Sequence, residues 1–177
     1  MENNIPNSNN NNILLEIVKE LNQIKKDIDD NLTIKKLGNI INKINDNIKE
    51  IKYDNGKYVG QVVNGLKEGK GTLFWNDGDR YEGDFKNDMA EGKGIYYYND
   101  GDIYEGDFKN GNKEGKGIYY YNNCDRYEGD YRNDKREGQC VYYYHNGDRE
   151  MGNSYNNNPT GKFVMLTKNG EIKINNY

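Results

Sequence analysis

Proline and cysteine are almost missing from this chain of 177 residues, with two of each. Two cysteines, Cys124 and Cys140, cannot build a disulfide framework, so a reducing, cytoplasmic setting is the expectation. Two prolines rule out a collagen-like chain or a proline-rich spacer, although there are 21 Gly. No stretch of about 18 apolar residues exists, so no membrane span is expected. No apolar run follows a basic N-terminus, so no signal peptide is expected either. A basic surplus is also missing: the formal net charge is −4, which argues against nucleic acid as a partner. Aliphatic residues are scarce, hydrophobic residues reach only 33% and mean hydropathy is −1.19. That composition leans toward disorder. The 17 Tyr oppose it, because disordered chains are poor in aromatic rings.

Location resolves the conflict. No tyrosine precedes Tyr53. Residues 1–11 are rich in Asn and are expected to be a disordered tail. Residues 12–51 carry apolar positions at 3-4 spacing, first Leu14, Ile17, Leu21, Ile24 and Ile28. The pattern resumes as Ile34, Leu37, Ile41, Ile44, Ile48 and Ile51. Such a seam predicts one or two amphipathic or coiled-coil helices, broken near Asp29–Thr33. The stripe needs cover, either from the rest of this chain or from a second copy.

Residues 52–177 are a tandem repeat with a period of 23. Tyr81-Glu82-Gly83-Asp84-Phe85 returns as Tyr104-Glu105-Gly106-Asp107-Phe108 and as Tyr127-Glu128-Gly129-Asp130-Tyr131. Copies begin near 58, 81, 104, 127 and 150, the last one worn. Each holds two short runs separated by a polar loop and followed by a tight turn such as Asn99-Asp100-Gly101-Asp102, the pattern of a β-hairpin. The fold class is therefore mainly β: an elongated antiparallel meander of tandem hairpins preceded by the helices.

Alternation assigns two faces. Tyr104, Gly106 and Phe108 share one with Gly115, Gly117, Tyr119 and Tyr121, so each ring lies beside glycine. The expected register sets Tyr104 opposite Tyr121, Gly106 opposite Tyr119 and Phe108 opposite Gly117. In the fifth copy the large and small partners look exchanged, with Ser154 for the ring and Phe163 for the glycine. Cys140 takes another glycine place and is expected to be a small core residue. The opposite face carries Ile95, Tyr97, Ile118, Tyr120, Val141 and Tyr143 beside a row of carboxylates. This stripe is the candidate partner-binding surface, or the surface that the helices cover.

Residues 104–119, Tyr-Glu-Gly-Asp-Phe-Lys-Asn-Gly-Asn-Lys-Glu-Gly-Lys-Gly-Ile-Tyr, closely resemble the MORN (membrane occupation and recognition nexus) repeat. The resemblance covers about residues 53–175 and implies an elongated, slightly twisted meander. It also implies a non-catalytic module of the kind found in cytoskeletal and membrane-contact scaffolds. Phosphoinositide binding is proposed for some members of that family.

Catalysis finds little support in the residues. The lone His145 stands in a turn, and Cys124 replaces a turn glycine. Asp100 and Asp102 sit between strands and lack the helices and the twelfth-position Glu of a calcium loop. No metal or other cofactor is expected. The leading expectation is a scaffold that binds a protein partner, with the helices for docking or for a homo-oligomer. The alternative is peripheral contact with anionic phosphoinositide headgroups through Lys109, Lys113, Arg132, Lys135 and Arg136 on a mildly basic loop edge.

Overall fold

In the computed structural model, residues 10–27, 35–41 and 48–177 are described. Helix α1 spans Asn10–Asp27, and a second helical stretch covers residues 35–41. Twelve strands follow in one antiparallel sheet whose spatial order is its chain order. The first five are β1 Ile48–Tyr53, β2 Gly56–Val63, β3 Leu66–Trp75, β4 Arg80–Lys86 and β5 Met89–Tyr97. Next come β6 Ile103–Lys109, β7 Asn112–Tyr120, β8 Arg126–Arg132 and β9 Lys135–Tyr143. The last are β10 Arg149–Tyr155, β11 Asn158–Leu166 and β12 Ile172–Asn176. At about 4.8 Å between neighbours, the outer strands stand roughly 50 Å apart.

The N-terminal expectations meet the structure unevenly. The Asn-rich tail falls on residues 1–9, outside those described, but Asn10 and Asn11 are already helical. The predicted break near Asp29–Thr33 also lies outside the described residues. Ile48 and Ile51 do not continue a helical seam. They belong to β1, where Ile51 pairs with Tyr58. A 3-4 spacing over so few positions is compatible with a strand, and pairing to β2 decides the matter. Ile17 and Ile24 remain exposed on α1, whereas Ile41 is buried.

The supposed polar loops shrink to two residues. Asn110 and Gly111 both have positive φ, as do Asn64-Gly65, Asn87-Asp88, Asn133-Asp134 and Asn156-Asn157. Two left-handed residues in a row define the type I′ turn, whose twist suits a hairpin. The next glycine, Gly115 at φ 70, lies within a bulge, because the β6–β7 register slips between Gly106 and Phe108.

That bulge corrects the predicted pairing. Tyr104 faces Tyr119, not Tyr121; Gly106 faces Gly117; and Phe108 faces Lys113 on β7 and Gly92 on β5. The ring nevertheless lies over glycine. Tyr104 folds along its own strand and covers Gly106 and Gly117, leaving no room for a Cβ at either. Its hydroxyl donates to the carbonyl of Asp107, the residue that the bulge leaves without a partner on β7. Tyr58 and Tyr81 donate in the same way to Gln61 and Asp84. A buried carbonyl needs such a donor, which is why this position holds tyrosine and not phenylalanine.

These rings are the core. Tyr58, Tyr81, Tyr104 and Tyr127 are almost fully buried, with Phe85, Phe108 and Tyr131 between them. Edge-to-face contacts join them in series, for example Tyr81–Phe108 at 4.9 Å and Tyr104–Tyr131 at 4.9 Å. Tyr131 is the imperfect member: its buried hydroxyl has no hydrogen-bond partner among the described residues. The same place in earlier copies holds Phe85 and Phe108. Tyr131→Phe should therefore raise stability by about 1 kcal/mol, since an unmade buried hydrogen bond is what it removes. A urea denaturation midpoint no higher than that of the parent would disprove this.

The fifth copy exchanges volume differently from the expectation. Ser154 does stand at the Phe85, Phe108 and Tyr131 place, but the space over Gly152 that Phe163 fills is the one vacated by Glu150, at the Tyr104 place. The buried Glu150 carboxylate accepts hydrogen bonds from Tyr144 at 2.9 Å and Asn175 at 2.6 Å. Cys140 is buried as expected, with its sulfur 3.4 Å from Ser154 Oγ.

Candidate functional site

The face opposite the core is built in rows, because each cross-strand neighbour in the ladder points the same way. One row reads Glu82, Ile95, Glu105, Ile118, Glu128, Val141 from β4 to β9, each opposite the next. It continues through Met151, Val164 and Ile174. A parallel row reads Arg80, Tyr97, Ile103, Tyr120, Arg126, Tyr143. Lys70, Lys93 and Lys116 form the third row, each bonded to the carboxylate opposite, Asp84, Asp107 or Asp130, at 2.6–2.7 Å. Between the lysines and the Glu–Ile row the sheet opens into a groove of about 850 Å³, floored by Gly94, Gly106, Gly117 and Gly129. The missing side-chain positions of these glycines point to the ring face, so the trough is bare backbone between the lysine row and the Glu–Ile row.

All six candidate partner-binding residues fall on this face and are half-buried. Ile95 and Ile118 line the groove itself. Tyr97, Tyr120 and Tyr143 stand beside it. The Arg80 guanidinium lies over Tyr97 at 4.0 Å and that of Arg126 over Tyr143 at 4.2 Å. These arginines, absent from the predicted surface, also meet Glu82 and Glu128 at 3.2 and 2.8 Å. Desolvation pushes the Glu82 carboxyl above its ordinary value, against the opposing pull of Arg80. In the middle copy the arginine position is Ile103, and no described cation pairs with Glu105. The groove therefore has at its centre a carboxylate with no ion pair among the described residues, flanked by two isoleucines.

The five candidate lipid-binding residues do not form one surface. Lys109, Arg132 and Lys135 are exposed on the turn edge. Lys113 and Arg136 instead lie on the ring face. The Lys113 ammonium sits 5.1, 5.2 and 5.6 Å from the rings of Tyr98, Tyr104 and Tyr119. Burial draws its pKa below the ordinary lysine value, while nearby Asp134 acts in the other direction. Arg136 lies 5.4 Å from the Tyr127 ring and 5.8 Å from that of Tyr142, and it donates to the hydroxyls of Tyr121 and Tyr142. Both cations are engaged within the fold. The repeat alignment held the signal, because Lys67, Lys113 and Arg136 share one place in the period.

The turn acids are likewise committed. Asp102 accepts the Tyr119 hydroxyl at 2.8 Å and the Asn122 backbone N–H at 2.8 Å. Asp125 does the same for the backbone N–H of His145, whose ring also meets it at 2.9 Å. Asp100 closes its own turn by accepting the Asp102 N–H. On the other edge Glu91 and Glu114 accept the N–H groups of Asn110 and Asn133, one repeat further on. Each of these carboxylates satisfies a turn amide, and all but Asp100 tie one hairpin to another. Among the described residues no helix is long and apolar enough to cross a membrane.

Comparison with known proteins agrees with this geometry. The MORN repeat family matches at residues 58–80, 81–103, 104–125 and 127–149, slightly over half of the chain. No curated protein sequence matches. Among solved structures, the chain is similar to the TCP domain of SAS-4 (dCPAP) of Drosophila melanogaster, in complex with a proline-rich motif of Ana2 (dSTIL). The likeness has a TM-score of 0.50 at 14% identity and covers 74% of this chain and 72% of that one. At that identity it concerns the fold alone.

Proposed function

This chain belongs to the MORN repeat family, and from that membership we propose that it is a non-catalytic scaffold whose grooved face binds a protein partner. The observation that carries this reading is Glu105, a carboxylate with no ion pair among the described residues, in a groove walled by Ile95 and Ile118. An extended peptide with a basic residue between two aliphatic ones would satisfy both the charge and the apolar walls. The row's outer end, with Met151, Val164 and Ile174 exposed, would extend the contact. The fly TCP domain, taken with its proline-rich motif, supports only the class of partner, a protein motif. The exposed Ile17 and Ile24 stripe on α1 serves self-association or docking in this reading. The setting is the cytoplasm, in association with cytoskeleton or membrane-bound partners.

Ile118→Asp and Glu105→Arg should each weaken partner retention at least ten-fold, the loss typical of a central interface residue. Neither should lower the denaturation midpoint of the array as a core change would. The check is affinity capture with the purified full chain, the two variants and Tyr131→Phe as a core control. Size measurement beside a chain starting at Ile48 reads the helix contribution. Partners retained equally by all variants would sink the groove reading. Vesicle sedimentation with and without phosphoinositide, at two salt concentrations, tests the lipid alternative. Salt-sensitive pelleting through Lys109, Arg132 and Lys135, with no protein retained, would put that alternative first.

A further inference from the structure

The repeat pattern changes at one place on the ring face. Lys67, Lys113 and Arg136 occupy one place in the period, opposite Val62, Phe108 and Tyr131. In the second copy that place is Ala90, opposite Phe85. The rings around it are nonetheless kept. Tyr98, Tyr104 and Tyr119 surround the Lys113 ammonium, and their counterparts one repeat earlier are Trp75, Tyr81 and Tyr96. The geometry is kept as well. Trp75 and Tyr96 stand 5.4 Å apart at 36°, against 5.6 Å and 40° for Tyr98 and Tyr119. Tyr96 donates to Asp79 at 2.6 Å as Tyr119 donates to Asp102 at 2.8 Å, so each outer ring is held by the same anchor.

The carboxylate beside each lysine has gone together with it, whereas Arg136 keeps its cation beside Asn157. Asp134 accepts the Lys113 backbone N–H and Asp88 that of Lys67, but the corresponding residue for Ala90 is Gly111. We propose that Trp75, Tyr81 and Tyr96 form an aromatic cage that takes a methylated lysine side chain from a peptide partner. The occupant's shape follows from Lys113, which shows a lysine stem delivering its ammonium to these ring positions. Its methylation follows from Gly111. Without the partner carboxylate, a bare ammonium would lose its water for ring faces alone, whereas a quaternary ammonium has little hydration to lose. This site lies on the face opposite the groove and does not depend on the groove reading.

Trp75 is the single tryptophan of the chain, so its emission reports on the cage directly. Titration of the full chain with the acetyl-amide derivative of trimethyl-lysine should give a saturable change. The unmethylated derivative should need at least ten-fold more. Ala90→Lys, which supplies the plug of the next repeat, should abolish the response. Ala90→Lys with Gly111→Asp should also raise the denaturation midpoint, because Asp88 and Asp134 already adopt the left-handed backbone of Gly111. Tyr96→Leu, which removes one wall and leaves the core ring Tyr81, should weaken the response at least five-fold. An absent or unsaturable change with the parent chain overturns the proposal. So does a response that survives Ala90→Lys, or choline-containing vesicles that match the lysine derivative.

Discussion

Tyr104→Ala should cost the array about 3–5 kcal/mol, the range for deleting a buried aromatic side chain. The ring is fully buried and touches Phe108 at 5.2 Å and Tyr131 at 4.9 Å. Its loss opens a cavity over two glycines that have no side chain to collapse into it. It also strands the Asp107 carbonyl, which now accepts the tyrosine hydroxyl at 3.1 Å. Because each repeat contacts only its neighbours, the damage has a position-dependent signature. Removal at the centre should uncouple β1–β5 from β8–β12 and split a single urea transition into two. Tyr58→Ala, at the end of the array, should leave one main transition. Tyr104→Phe isolates the hydrogen bond and should cost about 1 kcal/mol. A Tyr104→Ala chain that unfolds in one step within 1 kcal/mol or so of the parent would refute this account of the core.

Gly106→Ala should be the next most damaging change, at about 2–4 kcal/mol, and Gly117→Ala on the facing strand should cost markedly less. A Cβ at Gly106 would stand 2.7 Å from the Lys116 carbonyl oxygen and would also strike the Tyr104 hydroxyl. The backbone oxygen is fixed by the ladder and cannot withdraw. The three atoms nearest to a Cβ at Gly117 all belong to the Tyr104 side chain, at 2.5–2.7 Å. The chain itself carries the evidence that such a ring can yield. Cys140 occupies the Gly117 place one repeat later, and there the Tyr127 hydroxyl stands 3.4 Å from its carbonyl, against 3.1 Å for Tyr104. Denaturation of both alanine variants under one condition decides the order. Equal losses, or the reverse order, would show that ring displacement and not backbone contact limits these glycines.

Much of this architecture was legible without coordinates. A strict period, turn residues at fixed places and alternating rings and glycines imply tandem hairpins with two unlike faces. Face assignment survived although the predicted pairing of Tyr104 with Tyr121 was two residues out. In a strand a slip of two returns every side chain to its own face, whereas a slip of one reverses them all. Alternation is blind to such a slip. It was set by the type I′ turn at Asn110-Gly111 and by the bulge at Gly115, both matters of φ. The candidate stripe of Ile95, Ile118 and Val141 was found for the same reason.

What the residues determined alone was the repeat, the strand content, the ring-bearing face and the family. Those follow from local spacing, which a linear chain displays in full. Charge use could not be settled that way. Whether a lysine is free depends on the rings that surround it, and these come from neighbouring hairpins whose register only the folded sheet fixes. The scarcity of aliphatic residues was thus no defect of the core, because tyrosine over glycine supplies it. The tertiary structure decided the rest: Lys113 and Arg136 lie among the rings of that core, Glu105 has no ion pair among the described residues, and Ala90 stands where Lys113 and Arg136 stand in later copies.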